Sequence, residues 1–316
     1  MKVGIIGVGA VGSACAMALM QRGSARQIVL VDKTRARARA VSLDMRYGAP
    51  VSPTVDVRDG SYEDLKGADL VMITAGVNEK SGGATDRSDA EGRLKLLDAN
   101  VSVYREIVPQ VVAAAPDALL MVVTDPPDPL ADLTRHLAKH DRVVSTGTVI
   151  DSLRLRVHLG ERIGVNPASV EAMAIGEHGT SEVLLWSSAT VGGLPIREAC
   201  QQCGESFEEV RDAVERDVRY ANITIIEGNN ASQYGIGIVC ARLTEAILRD
   251  ERSIYEVASY QATYGLTLAL PSVVGRGGVI RTLEPPMSPD ERAQLQRSAE
   301  RLRAAGDRLQ LATASS

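Results

Sequence analysis

The opening run KVGIIGVGAVG constrains this chain more than any other stretch. Gly7, Gly9 and Gly12 stand in G-x-G-x-x-G spacing, directly after a short apolar run and at the start of a helical one. A strand that turns sharply into a helix needs that pattern. The first glycine permits the tight turn, the second lets a phosphate approach the backbone, and the third lets helix and strand pack closely. The helix start at Ala10 and Val11 then presents free amides to an anion. Asp32 closes the next apolar run, QIVLVD, twenty residues after Gly12. A carboxylate there accepts from both hydroxyls of a ribose and repels a 2′-phosphate, so the spacing predicts NAD rather than NADP. Lys33 and Arg35 just beyond leave some tolerance for NADP.

The first half continues as the motif requires. KVGIIG, QIVLVD, ADLVMITAG, ALLMVVTD and RVVSTG read as strands, with helices from about Ala10 to Gln21 and Arg35 to Tyr47 between the early ones. That alternation builds a doubly wound parallel sheet flanked by helices, a Rossmann-type α/β unit. From Asp151 the order becomes mixed. A helix is followed by strand-like VEAMAI and SEVLLWSSATV, helices from about Glu205 to Ile225 and Gly235 to Leu248, and TLALPSVVGRGGVIRTL. The expected division is a dinucleotide-binding domain over 1–146 and an α+β substrate domain over 147–316. A last helix is marked by Ser288 as N-cap, Pro289 in the first turn and Glu291 completing a capping box. The apolar face of YGIGIVCARLTEAIL suits either a core or an interface.

Charge narrows the partners. With 35 basic and 40 acidic residues the net charge is −5. No basic block occurs, which argues against nucleic acid or an anionic membrane as partner. No apolar stretch is long enough to span a membrane, and glycines interrupt the apolar N-terminus, so a cytoplasmic enzyme is expected. Cys15, Cys200, Cys203 and Cys240 are too few for a disulfide framework. Cys200 and Cys203 have C-x-x-C spacing, but no second pair or nearby histidine completes a zinc site, so no metal is expected.

The chemistry is carried by AIGEHGTSEV, with His178 between Glu177 and Gly179, and by STGTVIDSLRLR, where Asp151 and Arg154 stand one helical turn apart. An aspartate that accepts an imidazole N–H fixes its tautomer and favours its charged form, which makes a histidine an acid and base near neutral pH. An arginine alongside offers a planar fork that matches a carboxylate. With GVGAVG, ITAG, GRLKLLDAN, IGEHGTSE and the closing LPSVVGRGGV in this order, the chain resembles the L-lactate/malate dehydrogenase family nearly from end to end. The resemblance implies a hydride transfer between NAD and a small L-2-hydroxy acid, in a homodimer or homotetramer. It makes His178 the proton donor and acceptor, Asp151 its partner, Arg154 the clamp on the substrate carboxylate and Arg93 the loop arginine that polarises the reacting carbonyl. It also extends the cofactor site to Thr74, Ala75, Gly76, Asn100, Val123 and Thr146.

Several positions depart from that family's pattern. The stretch between Gly76 and Arg93 is longer than the usual lid, and Glu79 stands where lactate enzymes typically carry Gln and malate enzymes Arg. An acidic side chain there repels a second substrate carboxylate unless Lys80 or Arg87 takes its place. Asp125 replaces an asparagine, and an ionised aspartate accepts but cannot donate to a substrate oxygen. Either it is protonated or it stands off from the ketone. Glu171 replaces the histidine of sugar-bisphosphate-activated enzymes, so that activation is not expected. Ser232 matches a small hydroxyl residue on the substrate wall. L-lactate and pyruvate are the expected substrates, with malate, a bulkier 2-hydroxy acid, or a non-catalytic NAD-binding role as alternatives. Metal-dependent glycosidases of related fold need Cys and His ligands that these motifs lack.

Overall fold

The computed structural model describes residues 1–77 and 92–309. Short apolar runs alternate with amphipathic ones through the first half: strand β1 (Lys2–Ile6), helix α1 (Ala10–Arg22), β2 (Gln27–Val31), α2 (Arg35–Gly48), β3 (Asp56–Asp59), β4 (Leu70–Ile73), α3 (Gly92–Ala114), β5 (Leu119–Val122), α4 (Pro127–Ala138) and β6 (Val143–Ser145). Strands β1, β4 and β5 are buried almost throughout, as strands covered by helices on both faces must be. The second half comprises α5 (Val149–Ile163), the two-residue strands β7 (Val170–Glu171), β8 (Ala174–Ile175), β9 (Val183–Leu184), β10 (Thr190–Val191) and β11 (Leu194–Pro195), and the helices α6 (Ile196–Gln202), α7 (Phe207–Asn229) and α8 (Tyr234–Leu248). Strands β12 (Ser253–Tyr255), β13 (Ala258–Gln261), β14 (Leu266–Ala269), β15 (Ser272–Gly275) and β16 (Gly278–Thr282) then lead to α9 (Pro289–Arg308).

The main sheet has the order β14-β13-β6-β5-β4-β1-β2-β3. From β6 to β3 every pairing is parallel, and the order reverses between β1 and β4. Ligands of such sheets bind at that switch point, beyond the carboxyl ends of the strands. The β13–β14 hairpin adds to β6 in antiparallel sense, so the second half extends the sheet of the first.

Some expectations shift in detail. VEAMAI and SEVLLWSSATV, expected as single strands, each break in two because their halves serve different partners: β7 pairs with β10, β8 with β9. Strand β3 went unread because Val57 is the lone apolar residue between charges on a sheet edge. Helix α7 begins two residues later than expected, behind the Ser206 cap, and runs one turn further. The capping box of α9 forms as read, with Ser288 and Glu291 bonded reciprocally. Helix α8 spends its apolar face largely on the core, against α1, and leaves Ile238 about half exposed. Cys200 is buried and Cys203 exposed, both free. Among the described residues no group of three or more His, Cys, Asp or Glu is placed to hold a metal ion.

Candidate active site

The cofactor end is built from backbone. Gly7 has φ of +93°, and a Cβ there would meet the Ala75 backbone at 2.5 Å. A Cβ on Gly12 would lie 2.0 Å from the Gly7 carbonyl oxygen, so the first turn of α1 closes on β1 only because residue 12 has no side chain. The Thr74 hydroxyl donates to that same Gly7 oxygen at 2.6 Å. Helix α1 opens at Gly9 with no acidic residue in its first turn, which leaves its amides and positive end for an anion. Asp32, at the end of β2, accepts from the Val8 amide at 2.7 Å and the Thr34 amide at 2.8 Å. Each carboxylate oxygen keeps a further acceptor site, the chemistry a ribose diol needs. Arg35 is engaged with Asp59 at 3.3 Å. These residues fit a dinucleotide with a free 2′-hydroxyl.

The loop beyond β4 is locked by side chains. Thr124 donates to Ala75 O at 2.9 Å, while buried Asn100 accepts from the Val77 amide at 2.7 Å and donates to Asp125 O at 2.9 Å. Asn100 therefore holds two neighbouring loop segments at the head of the sheet.

The histidine end is built from charged side chains on separate elements. Thr148 donates to Ala174 O at 2.6 Å, and Ser152 accepts from Ala174 N at 2.9 Å, so the hydroxyl of the N-cap residue and one inside α5 fix the helix's register on β8. That register sets Asp151 against the loop four residues past Ala174. His178 Nδ1 lies 2.5 Å from Asp151 Oδ2, and Arg154 Nη1 donates to Asp151 Oδ1 at 2.9 Å. Asp151 is 1% exposed, whereas the His178 and Arg154 side chains are 14% and 13% exposed. A buried carboxylate accepts, so Nδ1 carries the hydrogen and Nε2 is left for the cleft. Asp125 Oδ1 is 4.0 Å from His178 Nε2.

A carboxylate that sequence reasoning missed holds the loop from behind. Asp128, wholly buried in the first turn of α4, accepts from the His178 backbone amide at 2.8 Å and from the Ser145 hydroxyl at 2.7 Å. Burial pushes its pKa up to about 6, opposed by those two hydrogen bonds. The run DPPDP obscured it, because prolines that suit a helix start also read as a loop.

Both ends open onto one cleft of about 470 Å³. Its lining includes Gly9, Ala10, Val11, Thr74, Gly76, Val123, Thr146, Asp125, Arg154, His178 and Ser232, all expected from sequence. It also includes Arg37, Ile150, Asn222, Gln233 and Ile236, which were not. Arg93 falls in the first turn of α3 with its side chain outside the described set; Glu79, Lys80 and Arg87 lie outside the described residues altogether.

Fold and cleft together define a dinucleotide-binding α/β protein with a histidine–aspartate pair and an arginine facing the cofactor end. Residues 1–145 match the family described as lactate/malate dehydrogenase, NAD binding domain, and residues 148–310 that described as lactate/malate dehydrogenase, alpha/beta C-terminal domain. The chain belongs to the lactate/malate dehydrogenase family. It is 44% identical over 304 residues to the L-lactate dehydrogenase of Deinococcus radiodurans, covering 96% of this chain and 97% of that one. With the L-lactate dehydrogenase of Thermus aquaticus it shares 42% over 316 residues, 98% and 99% of the two chains. The ligand-bound crystal structure of the minor L-lactate dehydrogenase from Enterococcus mundtii superposes with a TM-score of 0.89 at 34% identity, covering 97% of each chain.

Proposed function

We propose that the protein is a cytoplasmic NAD-dependent L-lactate dehydrogenase, interconverting L-lactate and pyruvate. One observation carries this reading: His178 and Arg154 line the same cleft as the glycine loop, with Asp151 buried behind both. The division into a cofactor domain over 1–146 and a substrate domain over 147–316 follows the same split of roles.

NAD, held by the loop from Gly7 to Gly12 and by Asp32, supplies the hydride chemistry when bound. His178 Nε2 takes the hydroxyl proton during oxidation and returns it to the carbonyl oxygen during reduction. Asp151 keeps Nδ1 as the donor and balances the imidazolium when it forms. Arg154 commits one N–H to Asp151 and retains the remaining donors of its fork for the substrate carboxylate. Arg93 is assigned to the carbonyl oxygen. Asp125 is assigned a place beside Nε2, its Oδ1 at 4.0 Å, and not the donor role that an asparagine fills.

Substrate choice follows from charge. Of the two arginines in the described lining, Arg154 is assigned to the substrate carboxylate and Arg37 stands in the first turn of α2, at the Asp32 end of the cleft. A second carboxylate needs a partner from the segment that carries Glu79, Lys80 and Arg87, where Glu79 opposes it. Pyruvate should therefore exceed oxaloacetate at least about tenfold in kcat/KM. NADH oxidation with pyruvate, oxaloacetate and larger 2-oxo acids tests this directly. Preference for oxaloacetate would make the protein a malate dehydrogenase, and binding of NADH without turnover a non-catalytic relative.

Among the described residues no helix is long and apolar enough to cross a membrane. We assign a homodimer or homotetramer, supported by a surface groove of about 920 Å³ between α5, α7 and α8. Leu153, Val157, Tyr220, Ile225 and Ile238 line it, each more than a third exposed, an apolar patch that a subunit contact would cover. Sedimentation velocity checks the assignment.

A further inference from the structure

Helix α7 buries a stripe of period four: Val210, Val214, Val218 and Ile226. Position 222 falls on the same stripe, where an aliphatic residue would complete the pattern. Asn222 stands there instead. It is partly buried and lines the cleft together with His178, Arg154 and Ser232. Its carboxamide has no hydrogen bond to another described residue, and the same holds for the side chains of Ser232 and Gln233 at the head of α8. By contrast Asn229, further along α7, spends its amide on Ala231 O at 3.0 Å. Asn222 is partly exposed, so water can serve its carboxamide in the open cleft, and an occupant that displaces that water must supply the bonds instead.

We infer that Asn222 is a specificity-determining residue that hydrogen-bonds an uncharged polar substituent on C3 of the substrate. The cleft then takes 2-oxo acids of the hydroxypyruvate type in preference to equally large apolar ones. This rests on the 2-hydroxy-acid dehydrogenase reading above. A carboxamide both donates and accepts, so it satisfies a hydroxyl in either sense. Being neutral, it offers no charge to offset a second carboxylate. A methyl in place of the hydroxyl displaces water from Asn222 without replacing its hydrogen bond, which is how a hydrogen-bonding pocket rejects an isostere that lacks the polar atom. The reaction is unchanged: C2 gains the hydride from NADH, the carbonyl oxygen gains the proton from His178, and the products are L-glycerate and NAD.

Hydroxypyruvate and 2-oxobutyrate differ by a hydroxyl for a methyl and provide the test. The wild type should favour hydroxypyruvate by about tenfold or more in kcat/KM, and Asn222→Leu, of similar volume, should invert the ratio. Asn222→Ser should retain part of the preference, which separates loss of the polar atom from a change in folding. Calorimetry of L-glycerate and L-2-hydroxybutyrate on enzyme saturated with NADH, where neither acid can react, should give the same order and the same inversion. A wild-type ratio within twofold of unity, or one that Asn222→Leu leaves in place, overturns the inference. So does a loss of NADH affinity in Asn222→Leu as large as the change in ratio, since the amide would then serve the cofactor. If pyruvate itself is not reduced and neither hydroxy acid binds, the dehydrogenase reading has failed, and the inference fails with it.

Discussion

The two ends of the cleft are made from different materials. At the glycine loop, the shape comes from missing side chains and backbone amides within one contiguous stretch, with Asp32 tying the turn to β2. At the histidine, it comes from charged side chains brought together from α5, the loop after β8 and the head of α4. A backbone-built end tolerates almost no added volume at Gly7 and Gly12 but needs few particular charges. A side-chain-built end keeps its shape through substitutions that destroy its chemistry.

The largest expected effect separates the two ends cleanly. General acid–base catalysis contributes about 10²–10⁴-fold, so His178→Asn should cut kcat by about a thousandfold. NADH affinity, measured by fluorescence titration, should stay within about threefold, because no cofactor contact is assigned to the ring. Equal losses of rate and NADH affinity would merge the two ends into one unit.

Next in size is Arg154→Lys. Lysine restores the charge but not the planar fork, and it abandons the 2.9 Å bond to Asp151. The KM for pyruvate should rise by about a hundredfold with NADH binding preserved. An unchanged KM removes Arg154 from the substrate.

Asp128 tests whether the histidine end is also held by a proton. Its folded pKa of about 6 lies above the ordinary 3.8. Between those values the native state keeps a proton that the unfolded chain has lost, so the stabilising effect present below the lower value disappears as pH rises through the upper one. Asparagine does not titrate. Relative to wild type, Asp128→Asn should therefore gain about 2 kcal/mol between pH 4 and pH 7 in urea denaturation. Parallel stability curves would mean the carboxylate is ionised in both states.

The smallest effect is expected at Asp32. Asp32→Ser removes the repulsion of a 2′-phosphate, and the NADP to NAD ratio of kcat/KM should rise by about tenfold. If the ratio stays put, the carboxylate serves only the Val8 and Thr34 amides.

Sequence spacing alone read the glycine loop, Asp32 and a helical turn carrying Asp151 and Arg154, because each depends on neighbours within a turn or a strand–helix unit, while the role of that pair came from the family resemblance. It reached His178 through its motif, but not the reason that His178 meets Asp151, which lies in the Thr148 and Ser152 hydroxyls that seat α5 on Ala174. Asn222 stayed hidden for a different cause. A polar residue in a long helix reads as surface until the stripe it interrupts is known to face a cleft.

What the sequence determined by itself was therefore governed by local sterics and periodicity: the parallel α/β half apart from its edge strand β3, the turn that only glycine at position 12 allows, and the capped last helix. What the tertiary structure decided was which distant groups share one cleft. Asp128 beneath the His178 amide, the β13–β14 hairpin added to β6, and Asn222 in the cleft all join residues far apart in the chain. Electrostatics and hydrogen bonding act over a few ångströms in space, whatever the separation along the chain, so those pairings become visible only when the chain has folded.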